Sequence, residues 1–87
     1  MKMTRNMRKR IRSLTRKQLL AYVFLTARDL AGEQSLRNLN AFELGNIIIS
    51  WGYDGDPRDF YGRVKKAKKL AKEDDERFGK FWLDNTL

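Results

Sequence analysis

The sequence predicts a mainly α domain with a small β element near its C-terminal end and a flexible basic arm at its start. Three observations lead there. Apolar residues recur at helical spacing in three windows, each opened by a cap signature. The stretch RFGKFWL, after the third window, is aromatic and β-prone, with Gly79 placed for a tight turn or bulge. Residues 1–17 hold eight cations and no acid. Eighty-seven residues allow one small core and no second one, so the chain divides into an arm over 1–13 and a folded domain over 14–87.

The first helix is predicted in LTRKQLLAYVFLTARDLAG. Thr15 is its N-cap, Gln18 completes a capping box, Leu14 and Leu19 form a hydrophobic staple, and Gly32 stops it. Leu19, Leu20, Val23, Phe24, Ala27 and then Leu30 or Ala31 make its buried stripe. GEQSLRNLN is polar and irregular, a connection with room for a short strand at LRNL. Asn40 caps the second helix with Glu43 at the capping-box position, and Leu44, Ile47, Ile48 and Trp51 face inward. The run IIIS is β-branched, but the cap and the spacing from Leu44 favour helix.

Two glycines in WGYDGDP end that helix. Asp56 before Pro57 starts the third, since proline suits the first helical position and disfavours helix in the residue before it. This helix should run from Pro57 to about Lys72, burying Phe60, Val64, Ala67, Leu70 and Ala71 and exposing Gly62, Lys65, Lys66, Lys69 and Lys72. Gly62 costs a helix interior about 1 kcal/mol relative to alanine, which points to a close backbone approach by a neighbour such as Trp51 or by a partner. Glu73 to Glu76 sit where their charge opposes the helix dipole and end the basic face.

Composition narrows the chemistry. With neither cysteine nor histidine, disulfides, Cys/His zinc sites, thiol nucleophiles and histidine-based triads are excluded. DGDPRD resembles the start of a calcium loop, but Arg58 and Lys65 would stand at the fifth and twelfth ligand positions, where oxygen donors are needed. Neither a glycine-rich phosphate loop nor a separated acid pair is visible, so the sequence predicts no enzyme, no metal and no cofactor. A basic start followed by LLAYVFLTA imitates a signal peptide, but Tyr22 and Thr26 interrupt the apolar run, and removing it would leave about 60 residues without a convincing core. The run also falls short of the ~20 residues a membrane span needs. A cytoplasmic protein without a membrane partner is expected.

The net charge of +8 lies in the first 17 residues, since the remaining eleven cations balance the eleven acids. A basic arm on a balanced domain suits a polyanion, because phosphates can replace small counterions. The segments NAFELGNIIISWG, DPRDFYGRVKKAKKLA and RFGKFWL, in that order, resemble the winged helix-turn-helix class over roughly residues 15–83. GYDGDP is longer than the turn of about three or four residues usual there, and the wing would be short. The resemblance implies a three-helix winged-helix-like domain closed by a C-terminal β hairpin or strand, whose third helix reads duplex DNA in transcription regulation or DNA organisation. On that reading Arg58, Tyr61, Gly62, Lys65 and Lys66 approach base edges, with Gly62 allowing a close backbone approach to DNA, and Lys69 and Lys72 lie nearer the phosphates.

A lysine-dominated helix implies modest sequence specificity, because bidentate reading of guanine prefers arginine. Arg5, Arg8, Lys9, Arg10 and Arg12 of the arm add electrostatic affinity. The arm also resembles the arginine-rich arms of phage and viral RNA-binding proteins, in keeping with the phage-like character of this short, cysteine-free chain, so RNA is the alternative nucleic acid. An acidic protein surface is the alternative partner of another class. Phe78, Phe81 and Trp82 could stack on bases, but a chain this small needs them in its core.

Overall fold

Residues 3–27, 36 and 38–73 are described by the structure, a computed structural model. Four helices account for their regular structure: α1 (Arg5–Arg12), α2 (Arg16–Thr26), α3 (Ala41–Trp51) and α4 (Pro57–Glu73). This corrects the predicted fold class at two points. Among the described residues there is no strand, and a fourth helix stands where a flexible arm was expected. The predicted hairpin or strand around RFGKFWL lies outside the described residues, as do Gly32, Leu30 and Ala31.

The basic arm folds because its charges mask an apolar stripe. Met3, Met7, Ile11 and Leu14 recur every three or four residues, and all four are buried in the common core. Thr4 caps α1 by accepting the Met7 N–H at 3.2 Å, and Lys9, Arg10 and Arg12 in its last turn complement the helix dipole. Arginine and lysine are good helix formers, so the segment's composition never opposed a helix.

The other three helices begin where their caps lie. Thr15 and Gln18 make the reciprocal capping box of α2, and Asn40 and Glu43 make that of α3. At α4, Asp56 Oδ1 accepts the Arg58 N–H at 2.8 Å, while the Asp56 carbonyl accepts the Asp59 and Phe60 N–H groups. Helix α2 ends at Thr26, short of the predicted glycine. The short strand expected at LRNL is absent from its described residues: Leu36 is helical, Asn38 lies in a turn, and the Leu39 N–H donates to the Leu36 carbonyl at 3.2 Å.

Helix α2 lies at the centre, packed most extensively on α4 and also on α3, and α1 packs on α3. Leu19, Leu20, Val23, Leu44, Ile48, Phe60, Val64 and Ala67 fill the interior as the spacing predicts. Tyr22, which breaks the apolar run in the sequence, is among the largest fully buried side chains. Its ring stands 6.1 Å from that of Phe60, which also meets Tyr53 edge-on at 5.5 Å. Trp51, expected inside, is 38% exposed at the end of α3.

The α1–α3 contact depends on Gly45. A Cβ there would lie 3.2 Å from Arg12 Nη1 and 3.7 Å from Ile11 Cγ2, so the missing side chain lets the Arg12 guanidinium lie close against α3, and an alanine would push it out by a few tenths of an ångström. Among the described residues, no helix is long and apolar enough to cross a membrane.

Candidate nucleic-acid interface

Docking of α1 brings the two basic segments of the sequence together. The Arg10 guanidinium lies 5.6 Å from the centroid of the Tyr61 ring, on α4, within the range of a cation–π contact. Two concavities meet at this pair. One, of about 280 Å³, is lined by Arg10, Tyr61, Val64, Lys65 and Lys68, and the other, of about 410 Å³, by Asn6, Lys9, Arg10, Ser13 and Tyr61. Among the described residues neither is lined by a carboxylate. The result is a shallow groove carrying Lys9, Arg10, Lys65 and Lys68, with an aromatic face at its middle.

Tyr61, Lys65 and Lys68 share this flank because they are four and three residues apart on a helix with 3.6 residues per turn. Phe60 locates Tyr61 from below, its ring edge-on at 5.1 Å. Lys68 and Asn6 were not among the predicted contacts. In the sequence Lys68 lies off the centre of the exposed face, and it gains a setting only through α1, a partner more than fifty residues away in the chain.

The remaining predicted residues separate into groups. Arg12 is occupied in holding α1 to α3: its guanidinium donates to the Phe42 carbonyl at 3.2 Å and to Asn46 Oδ1, and lies 4.7 Å from the Phe42 ring centroid. Arg8 donates to the Met3 carbonyl at 3.2 Å and so reinforces the start of α1. Arg5 is exposed. Lys69 approaches Glu73 at 4.0 Å, one turn on, and Lys72 is exposed near the end of α4. Arg58 and Lys66 lie with Arg63, Asp59, Gly62 and Leu25 around a third concavity of about 390 Å³.

Arg63, absent from the predicted set, is the best-positioned cation of α4. It donates to Thr26 Oγ1 at 3.3 Å and stands 5.2 Å from the Tyr53 ring centroid and 5.7 Å from that of Tyr22. Burial pushes the Tyr22 phenol up from its ordinary value, and Arg63 opposes that rise through a hydrogen bond and its charge. Asp56 is held below the usual carboxylate value, first by the Arg58 N–H and then by the Arg58 guanidinium, with which it pairs at 3.2 Å.

Comparison with known protein families, curated proteins and solved structures finds no match for this chain.

Proposed function

We infer that this protein binds double-stranded nucleic acid, duplex DNA in the first place, through the groove between α1 and α4. One observation carries the reading: the Arg10–Tyr61 contact joins the basic face of α1 to that of α4, giving a cationic surface with no carboxylate among its described lining residues. Among the described residues none of Lys9, Arg10, Lys65 and Lys68 forms an ion pair, so their charge is available to a polyanion. The binding mechanism is phosphate neutralisation by these four side chains, with release of condensed counterions.

Lysines dominate the α4 part of the groove, and lysine meets phosphate as a point charge without the planar fork that reads guanine. The protein therefore binds with modest sequence preference, as suits a factor that organises DNA or regulates transcription together with other components. Arg12 contributes indirectly, by fixing α1 against α3.

The test is fluorescence anisotropy of a labelled duplex with the wild-type chain and with Lys65→Glu/Lys68→Glu, alongside circular dichroism to check the fold. The expected result is loss of duplex binding by at least about a hundredfold with the helical spectrum unchanged. Equal affinity of the two proteins would place the contact elsewhere. Preference for hairpin RNA over duplex DNA in the same assay would redirect the reading to RNA, and salt-insensitive capture of an acidic protein in place of either would replace it.

A further inference from the structure

Among the described residues two glycines lie inside helices, and close neighbours explain only one of them. Gly45 leaves room for the close approach of the Arg12 guanidinium. Gly62, in the second turn of α4, has no such neighbour: a Cβ built there would meet nothing within 4 Å. Its φ is not positive, the only positive-φ glycine among the described residues being Gly52. The close approach of Trp51 suggested by the sequence is therefore not what Gly62 serves. A glycine in an exposed helix interior sacrifices about 1 kcal/mol relative to alanine, and nothing within the described fold recovers it.

The surroundings of Gly62 point to a partner outside the chain. At about 100° of rotation per residue, Gly62 lies opposite the buried Phe60 and Val64, at the middle of the exposed face of α4. It lines the third concavity, where, among the described residues, Arg58, Arg63 and Lys66 supply three cations against one carboxylate, Asp59. Arg63 is held in place by Thr26 and by the Tyr22 and Tyr53 rings. Lys66 has no ion-pair partner among the described residues. A fixed guanidinium, a free ammonium and a stretch of bare helix backbone suit a tetrahedral dianion or monoanion that must come closer to the helix than a side chain would permit.

We propose that the Gly62 concavity seats a backbone phosphate of the bound nucleic acid, with Arg63 and Lys66 as its main cations, Arg58 at the rim, and Gly62 keeping the helix surface clear for the sugar-phosphate chain. This rests on the reading that α4 faces nucleic acid, and it adds a second phosphate-binding region across the exposed face from the Arg10–Tyr61 groove. Asp59 opposes the anion and limits the affinity of the seat.

Because the seat and helix stability make opposite demands at position 62, substitutions there separate binding from folding. Gly62→Ala and Gly62→Leu should raise the melting temperature while weakening duplex binding, about threefold and at least about tenfold, with the salt slope falling by about one unit for the larger side chain. Lys66→Ala should lower the slope by a similar amount, and Asp59→Asn should tighten binding. All four are measured by anisotropy with the same labelled duplex over a salt series, together with Lys65→Glu/Lys68→Glu.

If both Gly62 variants bind as the wild type does while the double lysine variant fails, the phosphate seat is refuted and the groove reading stands. If the Gly62 variants lose binding while the double lysine variant keeps it, the seat is supported and the groove reading falls. Failure of the wild-type chain to bind any duplex at low salt overturns both.

Discussion

Asp56 illustrates how one residue here sets both a helix boundary and a pH dependence. Its carboxylate caps α4 through the Arg58 N–H and pairs with the Arg58 guanidinium, and both hold its pKa below the ordinary 3.8. The unfolded chain therefore takes up the proton first as pH falls, so the contribution of this cap is fully present above pH 3.8 and is lost as pH drops through the depressed folded value. Asp56→Asn keeps a good capping side chain but removes the charge. Thermal melts of the two proteins between about pH 2 and pH 6 should show the wild type losing its advantage over the variant at the acid end; a constant difference across the range would mean that the charge is irrelevant. This cap was legible in the sequence, as were Thr15 with Gln18 and Asn40 with Glu43, because a cap is a local contact spanning two or three residues. Gly62 was legible only as an anomaly, and it took the open space around it to rule out Trp51.

At the scale of elements, α1 changes most between sequence and structure. Its residues carry two overlapping patterns, a run of cations and the stripe Met3, Met7, Ile11, Leu14. The first suggests a mobile arm, and the second builds a helix that shares the core. The cations are the more conspicuous pattern, since five of the eight residues of α1 are arginine or lysine, while the stripe becomes decisive only once a partner surface is present to bury it. Arg12 belongs to that partnership, and its contacts on Phe42 and Asn46 span thirty or more residues of sequence, beyond what local pattern can convey. Ile11 is fully buried, so Ile11→Ala should cost about 2–5 kcal/mol in denaturant unfolding. A cost under about 0.5 kcal/mol, as for an exposed site, would mean that α1 does not belong to the folded unit. By the same logic, removing residues 1–13 should destabilise the whole domain as well as lower its charge.

Across the whole molecule, the excess charge is arranged by the fold, with α1 placed so that its cations extend the basic flank of α4. The segregation of lysines on α4 was predictable from a helical wheel, but the groove was not, since it depends on α1 docking beside Tyr61. Lys68 gains its setting from α1, and Arg63 gains its own from Thr26, Tyr22 and Tyr53. If Lys9, Arg10, Lys65, Lys68, Arg63 and Lys66 together make about six phosphate contacts, the logarithm of the binding constant should fall with the logarithm of salt concentration at a slope near −5. That corresponds to about a thousandfold loss of affinity over a fourfold rise in salt. A nearly flat dependence would instead indicate an apolar contact with a protein partner.

The central claim is that α1 and α4 form one binding surface, and the most direct test is to map that surface by amide chemical-shift changes on titrating a short DNA duplex into the isotope-labelled chain. The account expects the largest shifts together on both helices, at Asn6, Lys9, Arg10 and Ser13 of the α1 segment and at Tyr61, Gly62, Lys65 and Lys68 of α4, saturating at a single affinity. Shifts confined to α3, around Phe42 and Trp51, or to α1 alone with α4 unmoved, would contradict it.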